Sequence, residues 1–514
     1  MKNKSWFVVC LVVVSLAAPT TAVAEDQYRF PSGQTITGSV ESDFSSGWRK
    51  IGIYEHNRAT ASTSGIWAGR RVGNQTIWEL CESHNSGFCT ESSGHQVVGA
   101  SILPPCKTAT QTNCIESVGV GTRDQLFDAT LDRQIPGFTF AGDPAKGVPS
   151  GSTVSIWKSS SFPHTGGDEY SVFSSVNWSM VNGELQITDF HLNIAATAER
   201  FNQGVGTSMP MARGAERGAN GGSADCFYTS AQTCAYHQVF SPNTRIKATI
   251  RLTNQLSGWL FGRLRAPAVS VSKFNADSDL VVIEADPVSV PKMQTTWNQN
   301  EISGLVDPIW HGNFGGGSFM TLASARDAFR FVSELRGVAN DTASGERQYW
   351  GIQSSKWTSQ AGQRCFSNKQ GLVGLVTTNA MAYQGGVPTF SNGFLNYEVA
   401  GMHNLPDGEK ALGTYDLTMR SDVARCLYGF SRAPLSATVT VTGSGDSGVA
   451  TTVVGERNGW LRLAAYGFTF SQKTIRVKLT QKRATITCVS NRSPVKIKKV
   501  TSIAPKCPSG FRQR

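Results

Sequence analysis

Three short segments bring together residue types that do chemistry in proteins. Gly445-Asp446-Ser447-Gly448 sets a serine between glycines, as a nucleophile for acyl transfer would be set. That reaction also needs a histidine base and a buried aspartate to orient it. No Ala-Ala-His-Cys segment supplies the histidine, and Val449 follows where a further glycine is usual. The stretch Gly443 to Gly448 lies between two alternating segments and reads as a hairpin loop. His164-Thr165-Gly166-Gly167-Asp168-Glu169 gathers a base and two carboxylates in a turn. Such a set suits acid–base work or a metal, but more often such a stretch is a solvated loop between strands. His191 and His311 have no visible partner and read as structural or surface histidines. Gly315-Gly316-Gly317-Ser318 precedes a helical pattern but lacks the lysine of a phosphate loop. Trp157, Trp178, Trp259, Trp310, Trp350 and Trp357 offer faces for sugar stacking, with core packing the competing role. No residue is assigned a catalytic or metal-ligating role, and no cofactor is expected.

Charge is the more informative signal. The chain carries 48 Lys plus Arg against 37 Asp plus Glu, a net +11. Residues 472–514 hold twelve of the positive charges and no acidic residue, and residues 1–24 hold two more. Subtracting both leaves −3 for residues 25–471, so the basic pI is a property of the tail. Lys482, Arg483, Arg492, Lys496, Lys498, Lys499, Lys506, Arg512 and Arg514 form a candidate polyanion-binding patch. Such a patch attracts polyanions through counterion release and Coulomb terms; a solubilising tail is the plainer reading. A nucleic-acid enzyme more often carries its basic residues along a groove of the main body, so no specific nucleic acid is expected.

The elements that position these residues read mainly as β-structure. The length of 514 residues, with 52 Gly, 12 Trp and 26 Phe, suits two or three folded domains and excludes a disordered or collagen-like chain. Lys2 and Lys4, the apolar run Trp6–Ala18 and Ala22-Val23-Ala24 form a signal segment expected to be cleaved before Glu25. The run is too short to span a bilayer, and no later stretch is long enough, so no membrane-spanning segment is expected after cleavage. Without Cys10, ten cysteines remain. Cys81/Cys89, Cys106/Cys114 and Cys226/Cys234 each enclose seven residues, and Cys365/Cys426 and Cys488/Cys507 follow. Nearest-neighbour disulfides are expected; a zinc site is disfavoured because no Cys-x-x-Cys occurs.

In 245–252, Ile246, Ala248, Ile250 and Leu252 alternate with Arg245, Lys247, Thr249 and Arg251, the pattern of a strand with one wet face. Short strands follow at 259–261, 269–271 and 280–283, and a second such unit occupies 436–479. Both units contain Gly-Trp-Leu, at Gly258 and Gly459. The fold expected is multi-domain antiparallel β-sandwich or meander units with disulfide-closed loops and one clear helix at about 322–336, stopped by Gly337. Boundaries are expected at 1–24, 25–290, a linker at 291–317, a middle α+β domain at 318–434, a β meander at 435–481 packed on the preceding domain, and a disulfide-closed basic tail at 482–514.

The chain ends with Ile486-Thr487-Cys488-Val489, a basic stretch through Lys498-Lys499-Val500-Thr501, and Pro505-Lys506-Cys507-Pro508-Ser509-Gly510-Phe511. This ending resembles a short C-terminal module of many secreted proteins of Actinobacteria. The usual module ends Cys-Pro-x-Gly-Tyr with lysines after it; here Phe511 and Arg512-Gln513-Arg514 stand instead. The segment Ser421 to Phe430 is similar to a large family of such proteins with no established activity. The resemblance implies a secreted or wall-associated location and no catalytic residues. The leading expectation is a non-catalytic binding or surface protein, its tail held non-covalently to an anionic cell-envelope polymer or carbohydrate. The alternative is a secreted hydrolase acting on polysaccharide, with carboxylates such as Asp168 and Glu169 as acid and base.

Overall fold

A computed structural model describes residues 36–514 apart from 44–47, 56–62, 73–74, 87–88, 91–95, 182, 202–225, 231, 257, 299–318, 322–324, 356–364, 366–370, 385, 387, 431–434, 444–450, 471, 482–483 and 504. The signal segment, His311, Gly315–Ser318, Trp310, Trp357 and the Gly445–Gly448 loop lie outside the described residues. The described chain is mainly β, with multiple antiparallel sheets and two helices.

A 15-stranded sheet is the frame. Its main path runs Thr451–Arg457, Trp460–Thr469, Leu412–Arg420, Leu372–Thr378, Gly258–Arg263, Gly351–Ser355, Glu184–Phe201, Glu169–Val181, Gln96–Ile102, Gly65–Val72 and Gln75–Leu80. Gly258–Arg263 pairs antiparallel with Gly351–Ser355 on one side and parallel with Leu372–Thr378 on the other. The parallel pair is close because Gly374 has no side chain: a Cβ there would lie 2.4 Å from the Trp259 ring. Glu169–Val181 and Glu184–Phe201 form a long hairpin turning at Gly183.

Alternation along these strands feeds cores on both faces of the sheet. Leu260 belongs to a cluster with Val118, Ile250, Ile283 and Phe190, whereas its neighbours Trp259 and Phe261 belong to one with Leu417, Leu463, Val477 and Phe331. The first core is closed by a five-stranded sheet of Arg265–Lys273, Ser278–Asp286, Arg245–Thr253, Cys114–Gly121 and Leu126–Asp128. The second is closed by Leu435–Gly443, Lys473–Gln481, Phe394–Ala400 and Ala382–Tyr383, together with the helix Ala325–Val338. Burying a side chain such as Leu463 or Phe331 stabilises by about 1.5–3 kcal/mol, which explains why the sheet is apolar on both sides here.

Several expectations are corrected. The strand Arg245–Thr253 has no fully wet face: Arg245, Thr249 and Arg251 are buried. Arg245 reaches Glu284 at 2.5 Å and Asp286 at 2.7 Å, and Arg251 reaches Glu116 at 2.7 Å and three backbone carbonyls. Partners on neighbouring segments take the place of water, which is how a charged face becomes internal. The boundaries at 290/291 and 434/435 are crossed by the 15-stranded sheet, because strands from all three expected domains pair within it. The expected linker begins inside the strand Val288–Asn298. The unit at 435–481 is not a meander: Leu435–Gly443 pairs with Lys473–Gln481 in one sheet, and Thr451–Arg457 pairs with Trp460–Thr469 in another. Gly337 does not stop the helix, which runs to Val338 and is followed by Asn340 and Asp341 at positive φ. Phe329, Val332 and Leu335 do line its buried face, as their spacing predicts.

Candidate functional site

The tail folds into a small sheet of its own. Ala484–Ser490 is the middle strand, between Ile497–Ser502 and Phe511–Gln513. Cys488 is buried and bonded to Cys507. The chain after Cys507 turns through Gly510, at φ 82°, and returns as the third strand, so the tail is more than the disulfide-closed hairpin its sequence suggests. Asn491 N–H donates to the Gly510 carbonyl at 2.9 Å and Arg514 N–H to the Thr487 carbonyl at 3.0 Å, which fastens that strand. Among the described strands, these three hydrogen-bond only to one another.

Register places the basic side chains on both faces. Lys498 stands opposite Cys488, and Lys499 opposite Thr487 on the other face. Arg512 stands opposite Val489, on the same face as Lys499. Arg492, Lys496, Lys498, Lys499, Lys506, Arg512 and Arg514 are all exposed. Lys482 and Arg483 lie outside the described residues. The tail contains no carboxylate side chain, and no ion pair joins these seven cations to the described part of the body. Lys498 Nζ lies 5.2 Å from the centre of the Phe511 ring, which holds the ammonium over an apolar surface without neutralising it. The structure thus brings the described members of the predicted patch together as a two-faced basic module.

The His164 loop is built otherwise. His164 is buried, and both ring nitrogens are used: Nδ1 accepts from Gly166 N–H at 3.1 Å and Nε2 donates to the Glu169 carbonyl at 2.8 Å. That pair of bonds fixes the neutral ring, and burial lowers its pKa. Its edge packs on Tyr170, 5.1 Å between centres. Asp168 accepts from Ser160 Oγ at 2.7 Å, and both oxygens of Glu169 are held by Arg133 at 2.8 and 3.1 Å. The base and the two carboxylates therefore face different partners. His191 is buried in Glu184–Phe201, with Asp189 two residues before it on the same face; burial lowers its pKa. Trp157, Trp178, Trp259 and Trp350 are buried core residues.

All ten cysteines after Cys10 lie in five pairs in sequence order: Cys81–Cys89, Cys106–Cys114, Cys226–Cys234, Cys365–Cys426 and Cys488–Cys507. Sequence reading assigned no role to a cleft of about 660 Å³ beside the start of the helix Ser421–Tyr428, lined by Arg420, Ser421, Glu456 and Trp460 among others. Its walls come from five separate stretches of chain, so no local motif marks it; the lone signal is the serine and aspartate opening a helical pattern at Ser421-Asp422. Among the described residues no helix is long and apolar enough to cross a membrane. The chain matches no protein-family model, and no curated relative is similar to it.

Proposed function

We propose that this is a secreted or cell-wall-associated, non-catalytic binding protein whose tail attaches it non-covalently to an anionic envelope polymer. The observation that carries the reading is the tail sheet, with seven described exposed cations and no carboxylate side chain of its own. The net −3 of residues 25–471 falls well short of the +12 of residues 472–514, so a basic excess is left for an outside partner. The five disulfides fit an oxidising, extracellular compartment. The resemblance to actinobacterial secreted proteins supports the wall as the place of attachment. Hydrolysis through Asp168 and Glu169 has less support, because a general acid and its partner must converge on one bond and these two are committed to Ser160 and Arg133.

Co-sedimentation with purified cell walls tests the reading. Removing residues 482–514 deletes nine positive charges and takes the mature chain from +9 to zero. Retention of the truncated protein should drop sharply. Retention of the intact protein should weaken as salt rises, because exposed contacts are screened as the Debye length shrinks from about 10 Å at 0.1 M to about 3 Å at 1 M. Equal retention of the two forms, or retention indifferent to salt, assigns the tail to solubility alone.

A further inference from the structure

The hairpin between Thr451–Arg457 and Trp460–Thr469 turns at Asn458-Gly459, both at positive φ (51° and 77°), the two-residue turn that suits strand twist. It docks on the start of the helix Ser421–Tyr428, where Ser421 N–H donates to the Gly459 carbonyl at 2.7 Å. Beside this junction opens the cleft of about 660 Å³, within the roughly 300–1,000 Å³ of small-ligand sites.

Three features define what it can hold. Ser421 is 4% exposed and lines the cleft, yet its hydroxyl has no hydrogen-bond partner and does not cap the helix. The oxygen is itself covered, so turning the Ser421 side chain into the cleft to meet a ligand oxygen would end the cost of leaving it unpaired. The charged walls are already neutralised in pairs. Arg420 holds Asp422 through two nitrogens at 3.1 and 3.0 Å, and Arg425 holds Glu456 at 2.8 and 3.0 Å. With Asp279 the lining has two cations and three carboxylates, which disfavours a phosphate or other anion. The paired groups remain partly exposed and present fixed donors beside fixed acceptors, the arrangement that vicinal hydroxyls satisfy. Trp460, partly exposed on the cleft wall, adds an aromatic surface for C–H faces.

From these we infer that the cleft binds a neutral saccharide of one to three rings. The inference stands apart from the reading of the tail: the cleft is in the body, and its ligand is uncharged.

The test is calorimetric titration of the full mature chain with cellotriose, chitotriose, xylotriose, mannotriose and maltotriose. Each is taken to about 10 mM, enough to reveal millimolar affinity. Sodium chloride at about 0.5 M suppresses contacts of the tail. At least one of the five sugars should bind. Ser421→Ala removes a single oxygen from the cleft and should weaken that sugar about three- to tenfold, the worth of one hydrogen bond. Trp460→Ala should weaken it about tenfold or more, with the melting curve of each variant recorded as a folding control. Failure of all five sugars to bind overturns the inference. So does binding that Ser421→Ala leaves unchanged, or binding that disappears on deleting residues 482–514. A tail that fails to hold cell walls leaves this result untouched.

Discussion

His164 shows how a residue of catalytic type becomes structural. Its loop satisfies Nδ1 with a backbone N–H and Nε2 with a backbone carbonyl, so no lone pair is left to act as a base. Replacing it with alanine removes both bonds and the buried ring's contact with Tyr170, a loss of about 1–3 kcal/mol at neutral pH. The pH dependence follows from the lowered pKa. In the unfolded chain the ring titrates near its ordinary value, about 6.5, while in the native chain burial holds it lower. Below that ordinary value the unfolded state takes up a proton that the native state refuses, so stability falls with acidification until the native pKa is passed. The gap between wild type and His164→Ala should therefore be largest above about pH 7 and narrow towards pH 5. Thermal melts across that range check it, and a gap that stays constant would refute the buried neutral ring. The two ring contacts were not legible in sequence, because they depend on the turn at Gly166-Gly167 folding back on its own histidine. Arg245 and Arg251 carry a similar lesson: alternation placed them opposite the core face, but only Glu284, Asp286 and Glu116 on neighbouring strands decide that this face is buried.

Among elements, the helix Ser421–Tyr428 is the one that sequence periodicity passed over. Val423, Ala424 and Leu427 face the core, Asp422 sits in the first turn, and Gly429 closes the C-terminus in the left-handed conformation at φ 65°. Those signals are present in the sequence, but eight residues are too few to form a helix without tertiary support. Part of the support is Cys426, which ties the helix to Cys365 across 61 positions. In the loop-entropy model, losing this bridge costs about 4 kcal/mol, against about 2.6 kcal/mol for a nine-residue ring such as Cys226–Cys234. Denaturant unfolding of the two paired-serine variants, Cys365→Ser/Cys426→Ser and Cys226→Ser/Cys234→Ser, should rank them in that order. Because the helix start forms one wall of the cleft, the first variant should also weaken any sugar bound there, and the second should not. An inverted stability order would mean that the small rings hold strained or otherwise unstable segments, and that loop length does not govern their worth.

For the whole molecule, strands were legible and partners were not. Gly258–Arg263 and Trp460–Thr469 both announce themselves by short apolar runs, yet nothing local says that the first pairs with Gly351–Ser355 and Leu372–Thr378, or that the second pairs with Leu412–Arg420 beside its own hairpin partner. Pairing Gly258–Arg263 with Leu372–Thr378 closes more than one hundred residues of chain, a non-local choice made by shape and burial. Asp416 shows the same integration at one buried side chain: it accepts from Ala266 N–H at 3.0 Å, from Tyr466 at 2.6 Å and from Arg462 at 3.2 Å, joining three strands of two sheets. A cut at 290/291 would strip Gly258–Arg263 of its partners on both sides, and one at 434/435 would strip Leu412–Arg420 of its partner on one side. The fragments 25–290 and 318–434, made separately, should therefore show no cooperative melt. The chain ending at 481 should melt close to the full mature chain, since the tail strands pair only among themselves in the described structure. Calorimetry of the three products separates the possibilities. A cooperative transition in 25–290 alone would show that the first core closes without the strands of the second half. A large drop in melting temperature on removing the tail would show that the basic sheet is part of the body it was read as merely attached to.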